Sequence, residues 1–331
     1  MSLAALTVQR WFRVFLLFSV ALGSLATGLL VGSVQLSFGE ILSALRGHEG
    51  LASDIVWRLR APRVAAAFCS GGLLAMAGAF MQALLRNPLA DPYLFGVSGG
   101  AALGSLIAMS LGFGGLWAAA FGFSGAAGVA LIVAGLAFRA GDWNPYRLLL
   151  SGVVVAAGLN AFISLLLVLA PGAAVKGMLF WLMGDFGHSR APLTEALLLA
   201  GLALFGIVRG QPINVLGLGR MKAASLGVQV TRLESMLYVC AAAATTAAVL
   251  LGGAIGFIGL IVPHLCRLMG VNDYRALVPM SALVGGSLLV LADTAARSLW
   301  APVQLPAGIL TALIGVPALL LLISARPHAA R

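Results

Sequence analysis

Residues 92–138 form a stretch of 47 residues without one Asp, Glu, Lys or Arg. As a single α-helix it would be about 70 Å long, roughly twice what a ~30 Å hydrocarbon layer accommodates. As part of a soluble domain it would have no polar face to show to water. The run therefore folds back on itself inside a membrane, and "GFGG" at 112–115 is the natural turn. The rest of the chain agrees. Of its 331 residues, 61% are hydrophobic and 9% charged, where a soluble domain carries about a quarter charged residues. A net charge of +10 can point to nucleic acid. Here the basic residues lie between apolar segments, which is where membrane topology puts them.

A second uncharged run covers 32 residues, 235–266. It is too long for one span, and the pair Gly252 and Gly253 divides it into a full helix and a shorter one. The same reading along the chain gives ten spans, near 12–33, 61–85, 93–111, 115–138, 147–170, 191–208, 233–252, 255–270, 276–297 and 306–325. Nothing alternates like a barrel strand, and lipid forces every backbone polar group to find a partner within its own segment. The expectation is an all-α polytopic membrane protein, with 1–331 as one transmembrane domain. A further short helix at 174–184 is too short to cross. Arg10 and Arg13 followed by a long apolar run read as a first span rather than a signal peptide. An even count puts both termini on one side. Of the 20 Lys and Arg, 13 fall on that side and 7 on the other, so the positive-inside rule predicts cytoplasmic termini.

Several residues stand out against this background. In "RNPLADP" (86–92), Pro88 and Pro92 stop one helix and start the next. Gly96, Gly100 and Gly104 then share one helix face, a spacing that lets backbones approach closely: either generic small-residue packing or a helix packed tightly at the centre of the bundle. Arg58, Arg60, Arg63 and Arg297 fall on the outer side, against the charge trend. Either they snorkel to the headgroups or they form a basic patch for an acidic partner. Asp293, one helical turn before Arg297, is expected to pair with it. The segment 209–232 is the longest inner link, and its Leu216, Leu218, Leu226 and Val228 are more apolar than a solvated loop needs. Cys69, Cys240 and Cys266 lie in apolar runs and read as free core thiols. His264 has no second ligand at i+3 or i+4 and reads as a structural histidine, so no metal site is expected. The only lysines, Lys176 and Lys222, do not follow a glycine. A phosphate-binding Gly-Lys loop is therefore absent, and no cofactor is expected in this chain. A proton-coupled secondary transporter would need more intramembrane acids and histidines, and a membrane enzyme would need a nucleophile–base pair.

The segments "RAPRVAAAFCSGGLLAMAGAFMQALLRNPLADPYLFGVSGGAALG" (60–104), "GGAIGFIGLIVPHLCRLMG" (252–270), "LADTAAR" (291–297) and "LPAGILTALIGVPALLLLI" (305–323) carry a resemblance over nearly the whole chain. In order and in detail they resemble the iron-chelate and vitamin B12 permease family, the membrane subunits of type II ABC importers. The resemblance implies ten helices with an inverted repeat, faintly echoed in 71–100 and 252–286. It implies a bacterial inner-membrane location, a second copy of the chain, two cytoplasmic ATPase subunits that bind ATP and Mg, and a periplasmic substrate-binding protein. The substrate it implies is haem or a ferric siderophore, with a corrinoid such as vitamin B12 as the alternative. Arg60, Arg63 and Arg297 match positions that meet carboxylates of the binding protein. "RMKAASLGVQV" resembles a coupling helix, with Arg220, Ala223, Ala224, Ser225, Leu226 and Gly227 docking on the ATPase. Segment 171–188 faces the outer vestibule, where Lys176 either meets an anionic chelate or snorkels. The inner gate falls in "GDWNPYR" (141–147), where Asn144, Pro145 and Tyr146 replace the small hydroxyl residues of related permeases.

Overall fold

The computed structural model describes residues 3–139, 142–187 and 189–324. Gly141 and His188, at the ends of two predicted segments, and Arg326 and Arg331, from the charge count, lie outside the described residues. Helices α1 (Leu3–Leu30), α4 (Ala61–Leu85), α5 (Val97–Ser110), α6 (Leu116–Ala137), α7 (Pro145–Leu169), α9 (Leu193–Leu216), α11 (Val230–Gly252), α12 (Ile258–Leu268), α13 (Tyr274–Ser298) and α14 (Ala307–Ser324) follow the ten expected segments. Short helices α2 (Phe38–Leu45), α3 (Leu51–Ser53), α8 (Gly172–Met183) and α10 (Arg220–Ser225) lie between them. One two-residue antiparallel hairpin, β1 (Phe138–Arg139) with β2 (Asp142–Trp143), interrupts the helices. The predicted short helix at 174–184 is α8. Links at 112–115 and around Gly253 fall where the glycines put them.

The axis of the bundle is α4, not the Gly96–Gly100–Gly104 helix. In the apolar window of the 51–85 helix 89% of residues are buried, against 11% in α7. Glycines permit this crowding. A Cβ at Gly71 would run into the Gly285 carbonyl of α13, and one at Gly78 into the Gly259 carbonyl of α12. The glycines of α5 do pack closely, but sideways: Gly100 and Gly104 lie against the Gly125 and Phe121 carbonyls of α6. A uniformly apolar chain relies on such close backbone contact, because lipid offers no hydrophobic drive to separate helix from solvent.

The helices differ from expectation in three places. The helix holding α4 begins at Leu51, because a π-helical stretch, Asp54–Arg60, absorbs Pro62. Pro62 can neither donate to the Arg58 carbonyl nor fit beneath it in a regular turn, and a widened turn removes both conflicts. The second is α9, which runs through Arg209 and Pro212 to Leu216. The predicted inner link therefore shrinks from 209–232 to α10 and its flanks. The third is the pair of breaks that precede α5 and α12. Pro92–Phe95 is a 3₁₀ turn, and 253–257 has no regular structure, with Gly253 and Phe257 both at positive φ. The Tyr93 hydroxyl bridges them, donating to Ile255 O at 2.8 Å and accepting from Ile255 N at 2.9 Å. That single side chain supplies both partners that the broken backbone at residue 255 would otherwise lack in a membrane.

Candidate docking and transport sites

At the α3 end of the bundle, Arg60, Arg63 and Arg297 come together around Asp293. Arg63 is the best held. Its Nη2 lies 2.8 Å and its Nε 3.0 Å from the two Asp293 carboxylate oxygens. It also reaches Gln304 at 3.2 Å and Asp185 at 3.5 Å. Arg297 Nε sits 3.5 Å from Asp293, and its Nη2 donates to the Gly28 carbonyl. Arg60 has no carboxylate. It donates to the carbonyls of Leu29, Leu30 and Val34, at 2.7, 2.9 and 2.5 Å, where α1 ends. The Leu29 and Leu30 carbonyls are free because a helix terminus leaves its last ones without intrahelical donors, and Val34 lies in the link that follows.

Two expectations change here. The expected Asp293–Arg297 pair exists, but Arg63 takes the shorter, two-pronged contact. The arginine rim is also largely internal: Arg60 and Arg297 are each 4% exposed. Their heads are spent on α1 and Asp293, and only Arg63 keeps an edge at the surface, 11% of its side chain. Arg58 is the open one, 80% exposed and paired with Asp54 at 3.1 Å.

The opposite end carries α10. Its six residues divide by direction. Arg220 and Ala223 turn inward, contrary to their expected place on a docking surface. Arg220 donates to the Trp143 carbonyl at 2.7 Å and lies 3.4 Å from the buried Glu234 of α11. Ala223 is fully buried. Arg220 thus ties α10 to both the β-hairpin and α11. Ala224, Ser225, Leu226 and Gly227 are exposed, and a Cβ at Gly227 would meet nothing within 4 Å. Met221, which the sequence reading passed over, is the most exposed apolar residue here at 88%. Its position two residues before the inward Ala223 puts it on the opposite helix face, the one signal that helical spacing offered.

The pathway residues separate as well. Asn144 caps α7, its side-chain oxygen accepting from Tyr146 N and Arg147 N at 3.0 and 3.1 Å. Pro145 takes the first helical position, where its missing N–H costs nothing. Tyr146 is 84% exposed beside them. Lys176 lies far away, on α8, in the wall of a cavity of about 980 Å³ at the Arg63 end. Phe180, Trp181 and Leu250 give that cavity apolar walls, and Asp185 and Gln304 join it to the Arg63 cluster.

A bundle of apolar helices, six of them among the described residues long enough to cross a membrane, with an internal ion cluster at one end, a short exposed helix at the other and a vestibule between helices is the architecture of a membrane permease. The comparisons identify which kind. The FecCD transport family matches residues 16–325. The vitamin B12 import system permease protein BtuC of Citrobacter koseri is 37% identical over 298 residues, covering 86% of this chain and 90% of that protein. An ABC transporter permease protein of Bacillus subtilis, YvrB, is 36% identical over 327 residues, covering 92% and 91%. A metal-chelate type ABC transporter solved in an inward-facing conformation superposes with a TM-score of 0.79 at 27% identity, covering 94% of this chain and 98% of that one. The chain belongs to the FecCD transport family and is a permease of ABC importers, a transport component rather than an enzyme.

Proposed function

We propose that two copies of this chain form the membrane channel of a bacterial inner-membrane importer for a metal chelate, haem or a ferric siderophore. Two cytoplasmic ATPase subunits bind the ATP and Mg and drive alternating access. A periplasmic binding protein delivers the substrate to the Arg63 end, and the α10 end faces the cytoplasm with both termini. The observation that carries this reading is the pairing of unlike ends. A basic, preorganised cluster beside a wide vestibule suits an acidic delivery protein and a large, partly apolar chelate with anionic groups near Lys176. An exposed helix of small and apolar side chains suits the groove of another protein. Arg63 is the docking arginine in this reading, with Arg60 and Arg297 holding its surroundings. Met221, Ala224, Ser225, Leu226 and Gly227 meet the ATPase, while Arg220 and Ala223 carry its movement into α11 and the β-hairpin. A corrinoid is the second reading, favoured by the identity to a vitamin B12 import permease over 90% of its length.

Reconstitution tests the assembly and the cargo together. The chain should co-purify with an ATPase subunit, and the binding protein should stimulate hydrolysis only when loaded. Haem, ferric siderophores and cobalamin are then offered in turn. Hydrolysis that is indifferent to the binding protein sinks the delivery reading. Orientation is tested separately by labelling a cysteine placed at Glu49, which should react from outside, and one at Gly219, which should not.

A further inference from the structure

At the α10 end, the antiparallel helices α9 and α11 part around an open cavity of about 500 Å³, closed on one side by the 226–229 link. Arg209 enters it from α9 and Arg232 from α11, while Val215, Leu226, Val228 and Met236 make apolar wall. Both arginines are exposed. The acids nearest in sequence are held elsewhere: Glu234 faces Arg220 at 3.4 Å, and Glu195 lies 3.8 Å from Arg190; Asp273, at the same end, lies 2.8 Å from Arg275. Among the described residues, the Arg232 side chain has one hydrogen-bond partner, the neutral Gln229 side chain at 3.3 Å, and no carboxylate lines the cavity.

Its depth follows from helix geometry. Arg209 lies 16 residues after Leu193, the first residue of α9, a rise of about 24 Å. Arg232 is the third residue of α11, at the same end. A ~30 Å hydrocarbon layer centred on the 23 residues of α11 therefore ends within about 2 Å of Arg232, near the level of lipid headgroups, and Arg209, about 9 Å deeper along α9, reaches the same cavity from inside that boundary. Two guanidinium groups with no acid between them, in one cavity near that level and backed by apolar wall, match one kind of molecule.

We propose that this cavity binds an anionic phospholipid, with Arg209 and Arg232 on its phosphate and an acyl chain along Val215, Val228 and Met236. The guanidinium fork suits phosphate oxygens. Basic pockets between membrane helices favour anionic headgroups. Free phosphate would leave the apolar wall wet, whereas a lipid uses both halves of the site. Because Leu226 and Gly227 form part of the rim, a seated lipid braces the link that joins α10 to α11. The proposal does not depend on what α10 docks against.

The test uses the full-length chain in mild detergent and native mass spectrometry, with phosphatidylglycerol and phosphatidylcholine as probes. Wild type should retain phosphatidylglycerol over phosphatidylcholine by about thirtyfold, as expected for two basic residues acting on one headgroup. The double variant R209Q/R232Q should lose that preference. Val228→Trp fills the apolar side, leaves both charges in place, and should also lose the lipid. The proposal is overturned if the double variant keeps the lipid and its preference. It is equally overturned if inorganic phosphate displaces the lipid from wild type and still binds Val228→Trp, because the site would then be one for free phosphate. If the double variant keeps its lipid but no longer holds the ATPase subunit, the cavity belongs to the protein partner instead.

Discussion

The two ends of the bundle solve opposite problems with the same residue type. At the vestibule end, Arg60, Arg63 and Arg297 are drawn inside and satisfied by Asp293, Asp185, Gln304 and the free carbonyls of α1. At the α10 end Arg220 and Arg267 turn inward, and the apolar side chains Met221 and Leu226 stand out. In the proposed function the charge cluster meets a partner repeatedly, and fixing it in advance would spare the entropy of ordering long side chains at each encounter. The α10 surface would there transmit force through shape, which needs rigid backing and an unobstructed face: Arg220 and Ala223 would supply the backing, and the small residues the face.

The sharpest way to break this contrast is at Asp293. It is 1% exposed and lies against both Arg63 and Arg297. Asp293→Asn leaves two buried guanidinium groups without their shared counter-charge, and breaking a buried pair in this way costs about 3–5 kcal/mol. The thermal midpoint of the purified permease should fall steeply and its yield should drop. A variant that melts like wild type would mean that the α1 carbonyls alone hold the cluster.

Neighbouring alanines sharpen the other end. Ala223→Trp forces a large ring into a fully buried position and should cost about 1–3 kcal/mol or more. Ala224→Trp points outward and should change stability by no more than about 0.5 kcal/mol, yet block ATPase docking. Measured together by melting and by co-purification, the two variants should separate cleanly. If both destabilise equally, α10 is packed more tightly than its exposure indicates. If Ala224→Trp still couples, the ATPase docks elsewhere. Met221→Ala should weaken ATPase association with no change in melting, since an exposed methionine contributes only when a partner covers it.

Much of the fold was legible because a membrane imposes few rules. The lengths of 92–138 and 235–266, the glycines at 112–115 and 252–253, and the prolines at 88 and 92 were enough to position six helix ends. What stayed hidden depended on which way residues face. In a chain where lipid-facing and protein-facing positions are equally apolar, periodicity cannot separate the buried α4 from the exposed α7. Arg209 read as the end of a span because a charge usually marks one, and α9 runs past it. The arginine rim read as surface because its partners are remote: the Leu29 and Val34 carbonyls precede Arg60 by 31 and 26 positions, and Asp293 follows Arg63 by 230. Main-chain carbonyls leave no mark in composition at all. Met221 was missed because the small residues that follow it carried the family resemblance, and a long exposed methionine did not fit that pattern.

The gentlest prediction concerns Asp273, where the α10 end uses a carboxylate in the open. Asp273 caps α13 through Arg275 N at 3.0 Å, pairs with the Arg275 side chain at 2.8 Å and accepts from Asn214 of α9 at 2.7 Å. The Arg275 side chain, more than the Asn214 and backbone donors, lowers its pKa to about 2, against a smaller opposing effect of burial. The folded-state value lies below the ordinary aspartate value of about 3.9. Its contribution is therefore complete above about pH 4 and is lost as pH falls through about 2. With 26% of the side chain exposed, the pairing is screened and should contribute less than about 1 kcal/mol. Asp273→Asn keeps a competent cap, since asparagine is as good at that position, and removes only the charge. At neutral pH the variant should melt slightly below wild type. Its melting curve should converge on that of wild type as both are taken down towards pH 2, where the aspartate is itself neutral. The contrast with Asp293→Asn is the point of the measurement: the same chemical change, large where two arginines are buried around it and small where water shares the load. An offset that stays constant across the whole pH range would assign the effect to cap geometry and remove charge from the account of this end.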